Sequence, residues 1–433
     1  MSTPLHVLIA TDSFPPACGG SGWSTYELAR GLRAGGHRVT VVQPRPGAPR
    51  GVCARDYEGF TVLEFGAPAP PLPYVRNYFK NERLHAALAD FLEQLARRER
   101  PDLIHGQHVL TGLPAIEAAR RTAVPSVCTV RDYWPVCYWS DLIHTSDPEG
   151  PLCPECSSGM MTECIRPRAG AAWPLALPMI PYMRGNLRRK REGLAAAGAI
   201  VAVSSTIAAD LRARAPEISS TRLEVIPNPV DVTGLRARAG ASAPPMTGPY
   251  ALYLGKLAPN KGTSLLVPSV EQAELDWPLV IAGDGPERPE IQSAAQRSNR
   301  DVRMIGWVDQ DAAVAWMAHA SMLLFPSRGP ESLSRVLIEA SVLGIPIAAM
   351  NTGGTGDIVI DGRTGLLSLT AAEFTRDIRR LRGDADLRQR LGGAARSHAA
   401  AHFDAGAVIA RIEHLYRDLL NARDAGSASG PRA

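Results

Sequence analysis

The chain has 433 residues, of which 45% are hydrophobic and 21% charged, and its formal net charge is +4. At roughly 100–200 residues per domain, this length predicts two or three globular domains. A net charge so close to zero argues against a nucleic-acid partner. The first apolar run, residues 5–10, has no basic region before it, and no run reaches the ~20 apolar residues of a membrane span. We therefore expect a cytoplasmic protein.

Two series of strand-like apolar runs alternate with helix-like stretches, which is the pattern of an α/β protein with parallel sheets. The first series comprises residues 5–10, 38–43, 61–64, 103–105, 126–130 and 199–204, and the second comprises residues 250–255, 279–282, 302–305, 322–325 and 346–350. Residues 236–249, rich in Ala, Gly and Pro, predict a linker between them. We predict two doubly wound Rossmann-like domains, 1–240 and 241–400, facing each other across a cleft, with a helix in 401–424 that packs back on the first.

The loop and helix after residue 325 predict a phosphate site, because ligands of such sheets bind beyond the carboxyl ends of the strands. The helix is expected to begin near Ser332 or Ser334 and to end at Gly344. Its first N–H groups, near Leu333 and Ser334, would favour an anion. Glu331 and Glu339 would then flank that anion and accept hydrogen bonds from sugar hydroxyls. An isolated pair of glutamates at this spacing would more simply be surface residues.

Neighbouring loops strengthen this prediction. Lys256 and Lys261 follow another predicted strand five residues apart, and two ammonium groups suit the charge of a pyrophosphate. Gly255 precedes them. Val308 follows the strand at 302–305 and is expected to contact a base through its backbone.

These motifs, in this order, resemble those of glycosyltransferase family 4, and the resemblance covers nearly the whole chain. They are Gly255-Lys256 through Lys261-Gly262, Ala282–Pro286, Pro326-Ser327 with Glu331 and Glu339, Gly353–Asp357, and the runs 226–231 and 361–367. Lys256 stands where the family has Arg, Asp357 where it has Glu, and Pro229 where it has Gly.

The resemblance implies a GT-B fold and a retaining transfer of sugar from a nucleotide-diphosphate donor to a sugar, lipid-linked or small-molecule hydroxyl. The leaving phosphate would accept the acceptor's proton. Lys256, Lys261 and the helix start would stabilise that phosphate without a catalytic metal. Two alternatives stay open, a sugar-nucleotide epimerase or hydrolase of the same shape, and a non-catalytic sugar-nucleotide binder.

The first half carries the predicted acceptor side. Gly19 and Gly20 lie in a glycine-rich loop that, in the resembled family, faces the donor phosphate. His105 and His108 end a predicted strand, and the family often has a His near the transferred sugar. We favour His108 over His105. Asp132, after the next strand, is expected to bind acceptor.

The cysteines give a separate prediction. Cys137, Cys153, Cys156 and Cys164, in an insertion at 137–164, have a spacing that includes one C-x2-C and is compatible with a structural zinc ion. The alternative is four reduced thiols in an ordinary loop.

A basic cluster follows a proline-broken apolar stretch at 173–183. Arg184, Arg188, Arg189, Lys190 and Arg191 form this cluster. It is compatible with peripheral contact at the inner face of a membrane. The alternative is a solvated helix face.

Overall fold

The computed structural model describes residues 3–71, 78–145 and 150–428, and the chain packs as two compact units. The first unit comprises Met1–Ser140, Met179–Pro229 and Ala405–Ala433, and the second comprises Asp141–Pro178 and Val230–Asp404. Packing alone does not define an independently folding domain, so the predicted limits 1–240, 241–400 and 401–424 stay a prediction.

The first unit is built on an eight-stranded sheet in the order β3-β4-β2-β1-β5-β6-β7-β8. All neighbours pair in parallel except β3 and β4, which form an antiparallel hairpin. The strands are β1 (His6–Ala10), β2 (Arg38–Pro46), β3 (Gly51–Tyr57), β4 (Phe60–Ala67), β5 (Leu103–Gly106), β6 (Ser126–Val130), β7 (Ala199–Ala202) and β8 (Leu223–Val225).

The second unit has a six-stranded sheet in the order β11-β10-β9-β12-β13-β14, in which all neighbours are parallel. Its strands are β9 (Ala251–Leu254), β10 (Leu279–Ala282), β11 (Val302–Gly306), β12 (Met322–Phe325), β13 (Ile347–Met350) and β14 (Leu366–Ser368). The α/β class with two parallel Rossmann-like sheets is therefore confirmed.

The sequence analysis did not predict three strands, β3, β8 and β14, because none of them has a continuous apolar run long enough to be recognised. β3 is mostly exposed at the sheet edge. It is joined to β4 by Glu58 and Gly59, both at positive φ, which is the geometry of a type I′ hairpin turn. An edge strand is paired on one side only and needs few apolar residues. The turn residues are therefore the part of the sequence that indicates this hairpin.

Helices cover the sheets. In chain order the α-helices are Gly20–Ala34, Leu84–Glu99, Val109–Thr122, Ser158–Ala169, Trp173–Ala176, Ile180–Ala195, Ser205–Arg214, Val232–Ala241, Leu266–Gln272, Arg288–Arg297, Gln310–Ala318, Arg335–Leu343, Ala371–Gly383, Ala385–His402 and Ala405–Ala428. The predicted linker at 236–249 is wrong in its first part, since helix Val232–Ala241 continues into it with its N-cap Asp231 accepting from the Gly234 N–H.

Helix Ala405–Ala428 packs in the first unit against helix Gly20–Ala34. A methyl group added at Gly31 would lie 1.9 Å from the Ile409 Cδ1, so the two helices touch at the backbone of Gly31. Tyr416 is fully buried in the same core. Across the described ranges, no helix combines the length and the apolar content that a membrane crossing requires.

Each sheet has one place where its winding reverses direction. From β1 the chain builds β2 and β4 on one side and then crosses to β5 on the other, and from β9 it builds β10 and β11 before crossing to β12. Loops that leave the carboxyl ends of strands at such a switch point diverge and leave room for a ligand. The two pairs β1/β5 and β9/β12 therefore locate the candidate sites.

Candidate functional site

In the second unit, the loops after β9 and β12 bring Lys261 and Glu331 together. The Lys261 Nζ lies 2.6 Å from the Glu331 Oε1. The Glu331 side chain is 9% exposed and that of Lys261 30% exposed, so the carboxylate is enclosed while the ammonium group reaches solvent. The Ser327 hydroxyl also donates to the Glu331 carboxylate. These two residues are 70 positions apart in the sequence. They come into contact because the strands β9 and β12 that precede their loops are neighbours at the switch point.

Two glycines allow these loops to approach so closely. Gly262 has a φ of +61°, and a methyl group there would lie 2.0 Å from the Pro326 carbonyl oxygen. Gly353, in the loop after β13, has a φ of +54°, and a methyl group there would lie 2.1 Å from the Glu331 carbonyl oxygen. The Gly354 N–H donates to that same oxygen at 2.6 Å. Glycine is required at both positions by conformation and by space.

Backbone hydrogen bonds fix the shape of the loop that carries Glu331. The Asn260 carbonyl accepts from the Arg328 N–H at 3.2 Å and from the Gly329 N–H at 2.7 Å. Buried Tyr253 donates its hydroxyl to the Lys256 carbonyl at 2.8 Å. Burial raises the pKa of the Tyr253 phenol, and the nearby carboxylates of Glu331 and Glu287 raise it further, so this donor stays protonated. The site is thus held before any ligand binds.

The helix beyond this loop begins at Arg335 with Ser334 as its N-cap, and it ends at Leu343 before left-handed Gly344. The Ser334 hydroxyl makes no capping bond. By contrast, N-caps Ser157, Ser204, Asp231, Asp309, Thr370 and Asp384 all use their side chains. The first N–H groups of an α-helix have no partner within the helix. Glu339 lies in the second turn, where its Oε1 accepts from the Arg335 Nε at 2.7 Å.

The remaining predicted donor residues have different surroundings. Lys256 is exposed just beyond β9, after Gly255. Leu333 is buried, 4% exposed, before the helix start. Val308 is half-buried after β11, and its neighbour Trp307 is 76% exposed.

In the first unit, three side chains that follow the adjacent strands β1, β5 and β6 form one cluster. The His108 Nδ1 lies 3.4 Å from the Asp12 Oδ2, and its Nε2 lies 3.4 Å from the Asp132 Oδ2. The Val109 N–H donates to the His108 Nδ1 at 2.8 Å, which places the ring proton of neutral His108 on Nε2, facing Asp132. Burial raises the pKa of Asp132, an effect that His108 opposes.

Asp12 was not among the predicted residues. It accepts from the Thr111 hydroxyl at 2.9 Å and from the Leu110 N–H at 3.3 Å, so it holds the start of helix Val109–Thr122 as well as facing His108. The feature of the sequence that could have identified Asp12 is its position just after the first strand, β1, which lies at the switch point.

His105 has a different position from His108. It is fully buried, with its Nδ1 2.6 Å from the Tyr416 hydroxyl and its Nε2 2.7 Å from the Thr129 hydroxyl. Burial, with a smaller effect from Arg131, lowers the pKa of His105 to about 3. A neutral imidazole enclosed in this way presents no surface to an acceptor, so its placement favours a structural role.

The other predicted first-unit residues lie at the surface. Gly19 is the N-cap of helix Gly20–Ala34, and both Gly19 and Gly20 are exposed. A methyl group at Gly19 would meet no atom within 4 Å. That leaves the helix start open to solvent in the unit described.

The structure does not support the predicted zinc site. None of the seven cysteines is in a disulfide, and the residues described include no group of three or more His, Cys, Asp and Glu side chains placed to hold a metal ion. Cys137, Cys153 and Cys164 are instead buried, and the Cys153 thiol donates to the Glu155 carbonyl at 2.9 Å.

The basic cluster at 184–191 is not one solvated face. Arg184, Arg188 and Arg189 are exposed, but Lys190 is only 8% exposed. Arg191 donates to the Pro135 carbonyl at 3.1 Å. Membrane contact stays a prediction, with three rather than five cations available for it.

Comparison with known proteins follows the same division of the chain. The family model "Glycosyltransferase Family 4" matches residues 18–233, and "Glycosyl transferases group 1" matches residues 248–384. Glycogen synthase of Mycobacterium tuberculosis is 25% identical over 437 residues, covering 95% of this chain and 94% of that protein.

Two further similarities differ in extent. Alpha-D-kanosaminyltransferase of Streptomyces kanamyceticus is 29% identical over 180 residues, a match that covers 40% of this chain and spans about half of that protein, 46%. Sucrose-phosphate synthase of Thermosynechococcus elongatus shares the fold with a TM-score of 0.68 and 20% identity, covering 96% of this chain and all of that one. With its two parallel Rossmann-like sheets of GT-B type, the chain belongs to glycosyltransferase family 4 and is an enzyme that transfers sugar from a nucleotide-sugar donor.

Proposed function

We propose that the second unit binds the diphosphate and the sugar of the donor around Lys261 and Glu331. The observation that carries this proposal is their contact at the β9/β12 switch point, where an enclosed carboxylate faces a partly exposed ammonium group. The ammonium group would bind a phosphate oxygen and the carboxylate a sugar hydroxyl. Lys256 would supply the second cation.

The start of helix Arg335–Leu343 supports the same assignment. Because the Ser334 side chain leaves the cap unused, the first-turn N–H groups and the positive end of the helix dipole are suited to an anion. Leu333 would shape the turn before them, and Glu339, held by Arg335, would contact the ribose. The backbone of Gly255 and of Val308 would contact the nucleoside.

In the first unit, His108 would face the transferred sugar and donate from Nε2. Asp132 would contact the acceptor, and Asp12 would position His108 by holding the start of helix Val109–Thr122, where it accepts from the Leu110 N–H and the Thr111 hydroxyl. Gly19 and Gly20 would approach the donor phosphate with their backbone. His105 would act only by supporting the strand that ends at Gly106.

The transfer would proceed with retention of the anomeric configuration. The bond between C1 and the phosphate oxygen breaks as the acceptor oxygen bonds to C1 on the same face, and the acceptor's proton passes to the leaving phosphate. Positioning and electrostatic stabilisation of the diphosphate by Lys256, Lys261 and the helix start would carry the rate. No metal takes part in these steps.

The test is a titration of the purified chain with UDP, GDP, ADP and TDP, then with the sugar nucleotide of the base that binds. Lys261→Met should raise the Kd about tenfold or more, since it removes a charge-assisted bond. Arg303→Met, which removes a cation of an exposed Arg303–Asp301 pair in the same unit, is the matched control.

A second experiment tests the stereochemistry of transfer. NMR of the product should show the same anomeric configuration as the donor. Unchanged affinity in Lys261→Met would overturn the donor site, and an inverted product would overturn the mechanism.

A further inference from the structure

The two residues that precede His108 and Asp132 in the chain are hydrogen-bonded to each other. The Arg131 Nη2 donates to the Gln107 Oε1 at 2.5 Å. Gln107 is 1% exposed and Arg131 is 7% exposed, so little water competes for this bond. Gln107 follows β5 and Arg131 follows β6, and these two strands are neighbours in the sheet. The loops that carry His108 and Asp132 are therefore cross-linked at their first residues.

The guanidinium group of Arg131 also reaches a third segment of the same unit. Its Nη1 donates to the Asn228 Oδ1. Asn228 is buried and lies in the loop after β8. A guanidinium group is planar and carries its N–H donors in a fixed arrangement, so it holds two acceptors in defined directions. Arg131 thus connects the loops that follow β5, β6 and β8.

Gln107 continues the chain of hydrogen bonds into the core. Because its Oε1 accepts from Arg131, its Nε2 is the donor that lies 2.8 Å from the His105 Nε2. That contact makes the His105 Nε2 an acceptor and places the ring proton on Nδ1, 2.6 Å from the Tyr416 hydroxyl. An arginine side chain can only donate, so the direction of each bond follows from Arg131. The network has one end beside the cluster and the other in the core.

His108 and Asp132 themselves are less tightly held. Their facing atoms, Nε2 and Oδ2, lie 3.4 Å apart, which is longer than a strong hydrogen bond. A contact of this length holds two side chains together weakly, so their separation depends on the backbone segments that carry them. The bond between Gln107 and Arg131 fixes those segments one residue upstream.

We infer that Gln107 and Arg131 are positioning residues of the transfer reaction, which hold His108 and Asp132 at the separation that transfer requires. The inference rests on the proposed function, in which these two side chains face the transferred sugar and the acceptor. Gln107 and Arg131 act through the backbone and need no contact with substrate. A displacement of about 1 Å in such an arrangement can lower a rate about 100-fold.

Two substitutions at position 107 separate the cross-link from the rest of the network. Gln107→Met has a similar shape but cannot accept from Arg131. Gln107→Glu still accepts from Arg131 and gives up only the donor to His105, whose ring can move its proton to Nε2 and accept from Tyr416. The assay is single-turnover release of nucleoside diphosphate from the sugar nucleotide that binds in the donor titration, with water as the acceptor. The rate should fall about tenfold in Gln107→Met and recover to within about threefold of wild type in Gln107→Glu.

A second measurement follows the His108 ring itself by NMR. Its resonances, assigned by their absence in His108→Asn, should shift in Gln107→Met and Arg131→Met and stay unchanged in Gln107→Glu. Donor Kd should stay within about twofold in these variants, since the donor site lies in the second unit. Tyr416→Phe is the matched control, because it removes a bond at the far end of the network. It should lower the melting temperature and leave the release rate and the His108 resonances unchanged.

The outcomes separate this inference from the proposed function. Equal rates and equal His108 resonances in Gln107→Met and Gln107→Glu would overturn the inference, and so would wild-type values in a folded Arg131→Met. If one of the two variants that break the link fails to fold, the other decides. A wild-type rate in His108→Asn would instead reject the proposed role of His108, and the ring resonances would still show whether the cross-link positions the ring. Failure of the wild type to bind any donor would reject the proposed donor site.

Discussion

The Lys261–Glu331 pair of the second unit and the Asp12–His108–Asp132 cluster of the first occupy equivalent places in two sheets. Each lies beyond the carboxyl ends of strands at a switch point. They differ in how the charges are held. In the second unit a cation contacts a carboxylate at 2.6 Å, whereas in the first an imidazole lies 3.4 Å from each of two carboxylates. Under the proposed function, the tight pair would bind the fixed anionic group of the donor, whereas the looser cluster would accommodate groups that differ between acceptors.

The largest effect should come from breaking the tight pair. Lys261→Ala removes the cation that would stabilise the leaving diphosphate and leaves the enclosed Glu331 carboxylate without its ion pair. We expect kcat/KM to fall by roughly 100-fold to 1,000-fold, measured as nucleoside diphosphate release. Arg303→Ala serves as the control. Turnover equal to wild type would show that Lys261 has no part in transfer.

The looser cluster should give a smaller and strongly coupled effect. His108→Asn and Asp12→Asn should each lower kcat by roughly tenfold to 100-fold, and the double variant should lose little more than His108→Asn alone, because Asp12 acts through His108. The double-mutant cycle in kcat measures this coupling. Independent, additive losses would contradict the positioning role of Asp12.

The two sites also differ in what the sequence revealed. The second-unit residues stand in contiguous loops rich in Gly, Pro and Ser, where glycines such as Gly262 and Gly353 mark close backbone approach. Asp12, His108 and Asp132 are single residues after three strands far apart in the chain, so only the strand order unites them. Asp12 was missed for that reason. Lys190 was mistaken for a surface cation, since a basic run does not show which helix face is buried.

The two histidines His105 and His108 illustrate the same limit on sequence prediction. The sequence predicted that both histidines lie at the end of one strand. In the structure His105 lies within β5 and faces Tyr416, whereas His108 follows the strand as the N-cap of helix Val109–Thr122, and side-chain alternation along a strand cannot show where the strand ends. Their roles are separable only by what packs against them.

His105 provides a pH test of that separation. Its folded pKa of about 3 lies below the unfolded value near 6.5, so the unfolded chain binds more protons between these values. Its contribution to stability is therefore complete above about pH 6.5 and is lost as pH falls toward 3. One pKa unit is about 1.4 kcal/mol, so the loss per unit near pH 5 is at most of that order. The free energy of unfolding of His105→Gln should fall less steeply with acidification than that of wild type. Parallel slopes would contradict a buried, neutral His105.

The smallest expected effect is that of metal removal. This experiment tests whether side chains and a helix start are enough to stabilise the diphosphate in the second unit. Treatment with a chelator such as EDTA should leave kcat, the melting temperature and the Kd for donor unchanged, because the proposed stabilisation of the diphosphate uses Lys256, Lys261 and a helix start. The matched control is the same assay after dialysis without chelator. Stoichiometric zinc in the purified protein, with a lower melting temperature after its removal, would restore the predicted cysteine site at Cys137, Cys153, Cys156 and Cys164. A loss of kcat alone, with an unchanged melting temperature, would instead place a metal at the diphosphate.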